Sequence, residues 1–354
     1  MGNFPHLCID PHLLSLPRMD APSTEDVEDF VSILVDWGRT IGGSCAKAFV
    51  SSTVIDAIND DDAFPWRDKL IRFLKHHKVE SADHETVASV VQAFLNCAFI
   101  EDSIGIKALL LDDKITEITP TFLFERLRPK TRDAFHDMLA MIVMVQHGYG
   151  QDVEQVVLAS ISDNNTAPEL QYLSFFTEIV DFEWETNSDN RNIKRPYNIN
   201  DRVSVFFSRN GLLESIEPLS LWPAKDDKSA ACNAIDCCIA RLVAAGTCQK
   251  NKILYSIGTS FLQTAKIWEC GQGGHHTFTL IESCARIVLG IPKHQIKPFY
   301  DGASGAQKVR NDGALACRTH LTKSGAALRL MLWNLPDGTI EFANVGAKNE
   351  LIIL

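Results

Sequence analysis

Residues 327 to 348 read ALRLMLWNLPDGTIEFANVGAK, and this stretch indicates the fold more clearly than any other part of the chain. The apolar run from Leu328 to Leu335 is typical of a buried strand. Pro336-Asp337-Gly338 favours a tight turn, because proline fixes φ and glycine accepts a positive φ. Thr339 to Val345 predicts the returning strand, and Leu351 to Leu354 is a candidate for one more. We therefore expect a small antiparallel sheet over residues 314–354.

The strand that precedes this hairpin carries the candidate chemistry. By strand parity, Arg318 and His320 project from the face opposite Cys317 and Leu321. Arg329 and Trp333 share a face of the next strand. Two guanidiniums, an imidazole and an aromatic ring can hold a phosphate, move a proton near neutral pH and stack on a base. RNA cleavage through the 2′-hydroxyl needs a general base, a general acid and positive charge, and it needs no metal.

The C-terminal stretch, about residues 277–354, resembles the RelE/ParE toxin superfamily. The matching positions are Arg318, Arg329, Trp333, Asp337-Gly338, Val345-Gly346 and Lys348. The resemblance implies helices followed by an antiparallel sheet, and a bacterial toxin-like ribonuclease or nucleic-acid-acting effector, of the kind found in phage defence. His320, Arg318 and Arg329 would be catalytic, with no cofactor.

Further residues are candidates for nucleic-acid binding. Lys308 and Arg310 lie in a glycine-bounded loop that could hold a phosphate, although most such segments are plain surface loops. Trp333 could stack on a base, and Lys348 adds a cation. The competing interpretation is that Arg318 and His320 form a solvated sheet face and that Arg329 pairs with Glu341 across the hairpin.

Two other functions stay open. The chain could be a non-catalytic subunit or docking module of a multiprotein defence complex. It could also be a metal-dependent hydrolase centred on His275 and His276, with Cys270 and Glu282 as further ligands. The glycines of residues 271–274 match neither the dinucleotide nor the P-loop fingerprint, so a plain loop-to-helix junction is the simpler interpretation.

The rest of the chain predicts an α+β protein with a helix-rich front part. The prolines of residues 1–22 favour an extended arm. Residues 23–150 form a helical domain, residues 151–228 a mixed β-rich segment with an exposed loop at 187–201, and residues 229–354 a C-terminal α+β module. Apolar side chains at helical spacing predict the helices. They begin near Ser23, Trp66, Asp83, Thr131, Ser229 and Thr277. Ile106 to Leu111 could be a strand or part of a helix.

Composition narrows the class of protein. The chain has 354 residues, 45% of them hydrophobic, and a formal net charge of −11. Such an acidic balance argues against a protein that wraps nucleic acid with its whole surface. No apolar run approaches the roughly 18–20 residues that cross a bilayer, and the first residues lack a secretory pattern. We therefore expect a cytoplasmic protein with reduced cysteines and no membrane partner. The candidate site and the resemblance add RNA or another nucleic acid, and a partner protein, as expected partners.

Overall fold

The computed structural model describes residues 5–17, 23–41, 47–112, 114–150, 155–161, 172–184, 196–248, 253–300, 305–323 and 327–354. These residues fall into two compact units, an N-terminal unit over residues 5–209 and a C-terminal unit over residues 210–354. Both units combine helices with a sheet, which confirms the α+β class. No helix in the described ranges is long and apolar enough to span a membrane.

The N-terminal unit is built on one twisted sheet flanked by helices. Its strands are β1 (His6–Ile9), β2 (Ala48–Val50), β3 (Ala98–Phe99), β4 (Ile106–Leu111), β5 (Glu117–Thr119), β6 (Val156–Ala159), β7 (Tyr172–Trp184) and β8 (Tyr197–Phe206). The strand order is β3-β2-β1-β6-β8-β7-β4, and β5 pairs with β7. The first five strands in this order are mutually parallel, whereas β7 pairs antiparallel with β8, β4 and β5.

Parallel strands are joined by helices, and four of the helices of this unit, α2, α4, α5 and α8, begin within two residues of the predicted starts. They are α1 (Pro11–Leu14), α2 (Thr24–Ile41), α3 (Ser52–Asp60), α4 (Arg67–His76), α5 (His84–Leu95), α6 (Ile100–Ile104), α7 (Phe122–Glu125) and α8 (Pro129–Met144), and a π-helical turn, Val145–Tyr149, follows α8. The Ser23 hydroxyl accepts a hydrogen bond from the Asp26 amide at the start of α2. The Asp83 carboxylate does the same for the Thr86 amide in α5. Both caps satisfy amides that a helix start leaves unpaired.

Two segments differ from their predicted roles. The predicted arm contributes β1, a central strand that pairs with β2 on one side and β6 on the other, and its residues Leu7, Cys8 and Ile9 are fully buried. The predicted loop 187–201 was wrong in its second part, since residues from Tyr197 onward belong to β8; residues 187–195 lie outside the described ranges. The long antiparallel pairing with β7 draws this asparagine-rich stretch into the sheet, with Ile199 buried.

The C-terminal unit packs helices against a five-stranded sheet. Its helices are α9 (Arg209–Ser215), α10 (Pro218–Leu221), α11 (Lys228–Ala244), α12 (Phe261–Ile267) and α13 (Thr277–Val288). Its strands are β9 (Tyr255–Ile257), β10 (Lys297–Pro298), β11 (Leu315–His320), β12 (Arg329–Asn334) and β13 (Ile340–Gly346).

The predicted hairpin is present, but the sheet is mixed. The strands run in the order β10-β11-β12-β13-β9, and β9 pairs with β13 in parallel. Residues 351–354 do not form the predicted extra strand. Their backbone is held instead by Asn344, whose side chain binds Ile352 O and the Leu354 amide.

The two faces of this sheet differ in what they bury. One face carries Leu330, Leu332 and Phe342 into the main core, against apolar side chains of α11 and α13. Cys238 and Cys284 are buried there as predicted. The other face holds a smaller apolar cluster. Its members are Phe299, Ala314, Ala316, Met331, Trp333, Ala343 and Ile353. Of the predicted site residues, Arg318, His320, Arg329 and Trp333 lie on this second face.

Candidate functional site

The register of the sheet brings the three predicted catalytic side chains together. His320 lies directly opposite Arg329, and Arg318 lies opposite Met331. Directly opposed residues of antiparallel strands point to the same face, so Arg318, His320 and Arg329 share one face. Lys297 of β10 lies opposite Arg318 and extends the row. Strand parity predicted this arrangement.

Arg329 is the most unusual of these residues, since its exposed fraction is 8%. Its Nη1 donates to the carbonyl oxygens of Ala327 and Leu328, at 3.1 and 3.2 Å. Among the described residues no carboxylate pairs with it. Burial, and then the charge of Arg318, lower the pKa of Arg329. Buried charges are normally paired, so an unpaired guanidinium here indicates a place for an anion.

His320 is surrounded by positive charge. Burial lowers its pKa, and Arg329, His294, Lys323 and Lys297 lower it further. None of these neighbours is acidic. We call the basic side chains around His320 the cationic cluster; its members are His294, Lys297, Arg318, His320, Lys323 and Arg329. A lowered pKa favours the neutral ring of His320, which can accept a proton.

A second histidine stands beside His320. The rings of His294 and His320 are 5.9 Å apart, edge to face. The hydroxyl of Thr319 donates to the carbonyl of His294 at 3.1 Å, which ties the segment before β10 to β11. The His320 Nδ1 atom is buried without a hydrogen-bond partner. Burial and the charges of Lys323 and Lys293 also lower the pKa of His294. The sequence analysis missed His294, because nothing in its local pattern indicates that it reaches the sheet.

Arg310 and Trp333, two of the predicted nucleic-acid contacts, contact each other and other side chains of the fold. Arg310 donates to Glu341 at 2.7 Å and to Asp312 at 2.8 Å. Its guanidinium covers the Trp333 ring at 5.1 Å. Trp333 is 3% exposed and donates from Nε1 to the Leu354 carbonyl, so it has no free face for a base. The predicted ion pair between Glu341 and Arg329 is wrong, since the Glu341 carboxylate pairs with Arg310 instead.

Lys308 and Lys348 are not brought to the cationic cluster by any contact among the described residues. The backbone amide of Lys308 binds the Phe299 carbonyl, which places this residue beside β11. Lys348 is exposed in the turn that follows β13. Both remain predicted nucleic-acid contacts on the basis of charge alone.

The metal site predicted around His275 and His276 is not assembled. Glu282 is paired with Arg286 at 2.9 Å and Lys293 at 2.5 Å, and Cys270 is buried with its Sγ bonded to the Trp268 carbonyl. In the part of the chain that the structure describes, no three His, Cys, Asp or Glu side chains form a metal-ligating group. The glycine run has a steric reason instead, because a β-carbon on Gly274 would lie 2.3 Å from the Glu269 carbonyl oxygen.

The sequence analysis missed a buried polar cluster in the N-terminal unit. It lies where strands of the parallel sheet end, and its members are Asp10, Ser51, Glu101 and Ser160. A sequence signal for it exists: LCID, FVSS and VLAS are short apolar runs that each end in a polar residue. Runs this short do not separate strand from helix, so the pattern has no weight until the strands are seen side by side.

The comparisons give no family. No protein-family model, curated protein or solved structure matches this chain.

Proposed function

We propose that the C-terminal unit is a metal-independent ribonuclease whose cationic cluster binds the phosphate at the cleaved bond. The observation that carries this proposal is the buried, unpaired charge of Arg329 next to a histidine whose charged neighbours are all cations. A protein with a net charge of −11 has ample carboxylates to neutralise such a cluster, yet the described contacts supply none. A phosphate would remove the repulsion and give both arginines a partner with matching geometry.

The two histidines can provide the acid and the base of a 2′-hydroxyl attack. Neutral His320 would take the proton of the 2′-hydroxyl as the 2′-oxygen–phosphorus bond forms. The phosphorus–5′-oxygen bond would then break, and the departing 5′-oxygen would take a proton from His294, whose protonated form the negative charge of the bound phosphate would favour. The products are a 2′,3′-cyclic phosphate and a free 5′-hydroxyl. Arg318 and Arg329 would stabilise the charge that develops on the phosphorane.

The first test is cleavage of a labelled single-stranded RNA by the purified full chain in excess EDTA. We expect cyclic-phosphate products from the wild type and their loss in both His320→Ala and His294→Ala. His275→Ala is the matched control, because this histidine belongs to the same unit but is exposed and lies outside the sheet. Intact RNA with the wild type, or equal cleavage by all four proteins, would reject the proposal.

A test in cells complements this assay. Induction in a bacterial host should arrest growth and fragment total RNA, and the double variant His320→Ala/Arg329→Ala should do neither. The role in phage defence that the resemblance implies remains a prediction, and growth arrest alone does not establish it.

A second candidate function is a docking module in a protein complex. Apolar side chains are exposed next to β11, with Tyr300 at 53%, Val309 at 56% and Leu315 at 42%. Val309 and Leu315 are joined by an isolated β-bridge, so two of these side chains belong to one surface. Exposed apolar patches commonly mark protein contacts. Harmless expression, intact RNA and a co-purifying protein that is lost in Leu315→Asp would favour this function.

A further inference from the structure

The buried polar cluster of the N-terminal unit lies at a change of direction in the sheet. From β1 the order proceeds to β2 and β3 on one side and to β6 and β8 on the other. In open parallel sheets, ligands bind outside the carboxyl ends of the strands at such a switch point. Asp10 follows β1 at this point, Ser51 follows β2, and Ser160 follows β6. Their strands are in register, since Cys8 pairs with Phe49 and Ile9 with Ala159.

Asp10 is fully buried and held in one orientation. Its Oδ1 accepts from the backbone amide and the Nδ1 atom of His12, at 2.7 and 2.6 Å. Its Oδ2 accepts from the Ser160 hydroxyl at 2.8 Å. The other ring nitrogen of His12, Nε2, is buried and has no hydrogen-bond partner. A carboxylate fixed by three donors is preorganised, because its rotamer no longer has to be selected when a ligand arrives.

Glu101 reaches the same edge from α6, directly after β3. It is 4% exposed, and its Oε1 accepts from the hydroxyls of Ser51 and Ser52 at 2.7 and 3.1 Å. Its Oε2 is buried and has no partner. Both Glu101 and Asp10 act on the thiol of Cys8 in β1, where burial first, and then these two carboxylates, raise its pKa far above the usual range. The Ser51 hydroxyl that donates to Glu101 lies at the end of β2, the strand directly beside β1, so Glu101 reaches the strand next to Asp10.

The charges at this edge are not balanced. His12 is the basic partner of Asp10, whereas the described contacts of Glu101 come from hydroxyls and one amide. A buried carboxylate is normally paired with a cation or coordinates a metal. The Oε2 atom of Glu101, which has no hydrogen-bond partner, is open to such a cation. Oxygen donors are the preferred ligands of Mg²⁺ and of similar hard divalent ions.

We propose that the carboxyl edge of the parallel sheet binds one divalent ion of the Mg²⁺/Mn²⁺ class between Asp10 and Glu101. Mg²⁺ usually keeps several waters and takes only one or two protein carboxylates, so Asp10 and Glu101 are enough to hold it. The ion would neutralise Glu101 and bind Asp10 at Oδ2, which accepts from one donor where Oδ1 accepts from two.

The test is Mn²⁺ binding to the metal-free full-length protein, with the free ion counted by electron paramagnetic resonance. We expect about one Mn²⁺ per chain, displaced by Mg²⁺, and binding at least about tenfold weaker in Glu101→Gln and Asp10→Asn because each loses a charged ligand. Asp236→Asn is the matched control, since Asp236 is a buried carboxyl of the C-terminal unit that accepts from the Tyr255 hydroxyl. It should bind Mn²⁺ as the wild type does.

If Asp10→Asn fails to fold, the melting temperature of the metal-free protein provides a second test. Glu101→Gln retains an acceptor for the serine hydroxyls and removes the unpaired charge, so its metal-free melting temperature should equal or exceed that of the wild type. Added Mg²⁺ should raise the melting temperature of the wild type and leave that of Glu101→Gln unchanged. No Mn²⁺ bound by the wild type, or equal binding by Glu101→Gln, would overturn the proposal. Neither readout involves RNA, so its failure is separate from failure of the proposed ribonuclease.

Discussion

Replacing Arg329 with methionine should stabilise the protein and weaken RNA binding at the same time. Methionine at this first position of β12 keeps most of the aliphatic length of the arginine side chain and removes its charge. A residue that serves only the fold should behave in the opposite way, because its removal would cost stability and leave RNA binding unchanged. The sign of the two effects therefore separates a functional arginine from a structural one.

The expected magnitude follows from the geometry of the sheet. Arg318 is the diagonal neighbour of Arg329, which places their β-carbons about 7–8 Å apart. At that distance two positive charges repel by roughly 0.6 kcal/mol in water and about 2 kcal/mol at the effective dielectric of a protein surface. Two hydrogen bonds to carbonyls are lost, at about 1 kcal/mol each, but the Leu328 carbonyl keeps its bond from the Leu321 amide. Relief of desolvation adds several kcal/mol, so we expect a net gain of about 1–3 kcal/mol.

Calorimetry of the full chain measures this gain, as a rise of roughly 2–4 °C in the melting temperature per kcal/mol. Affinity for a non-cleavable RNA should fall at least about tenfold, the equivalent of one lost charge-assisted contact. Arg286→Met is the matched control, since Arg286 is paired with Glu282 and should lose up to about 1 kcal/mol on removal. A loss of stability in Arg329→Met with RNA affinity intact would refute the reasoning.

Three further predictions concern the same sheet. His320→Ala should lower the RNA cleavage rate by about 10²–10⁴-fold and leave the affinity for RNA nearly unchanged, because the ring acts on the proton of the 2′-hydroxyl. Single-turnover kinetics measures both quantities, and an equal loss of rate and affinity would contradict this prediction. The pKa values of His320 and His294 are lowered in the folded state, so the stability they contribute is present above the ordinary histidine pKa of about 6.5 and is lost as the pH falls below it. Urea unfolding at pH 7.5 and 5.5 should show this loss, and His320→Gln should reduce it. Trp333→Phe should cost about 1–3 kcal/mol of stability with RNA affinity unaltered, since the ring is buried and donates to Leu354; a drop in affinity would return Trp333 to the nucleic-acid site.

The C-terminal sheet was predictable because its strands are long enough to show their period. β11 and β12 each span six residues, and the Asp337-Gly338 turn fixes their continuation into β13. Parity then places Arg318, His320 and Arg329 on one face. Parity does not reveal what else covers that face, so the burial of Trp333 under Arg310 was not predictable.

The parallel sheet was missed for the opposite reason. β1, β2 and β3 span four, three and two residues, which is too short for any period to appear. Their identity as strands depends on neighbours that are distant in the chain, such as β6 beside β1. The prolines around β1 also favoured an extended arm, although Pro11 in fact begins α1, where a missing amide hydrogen carries no cost.

The two proposed sites stabilise negative charge by different means, and this difference makes them separable. Arg318 and Arg329 carry permanent charge, so activity at the C-terminal sheet should survive chelation of divalent ions. The edge formed by Asp10 and Glu101 is itself negative and can meet an anion only through a bound cation. If RNA cleavage persists in EDTA and disappears with His320→Ala, the sheet acts alone. If instead cleavage requires Mg²⁺ and disappears with Glu101→Gln while His320→Ala remains active, the reaction belongs to the N-terminal unit, and the cationic cluster is then an RNA-binding surface.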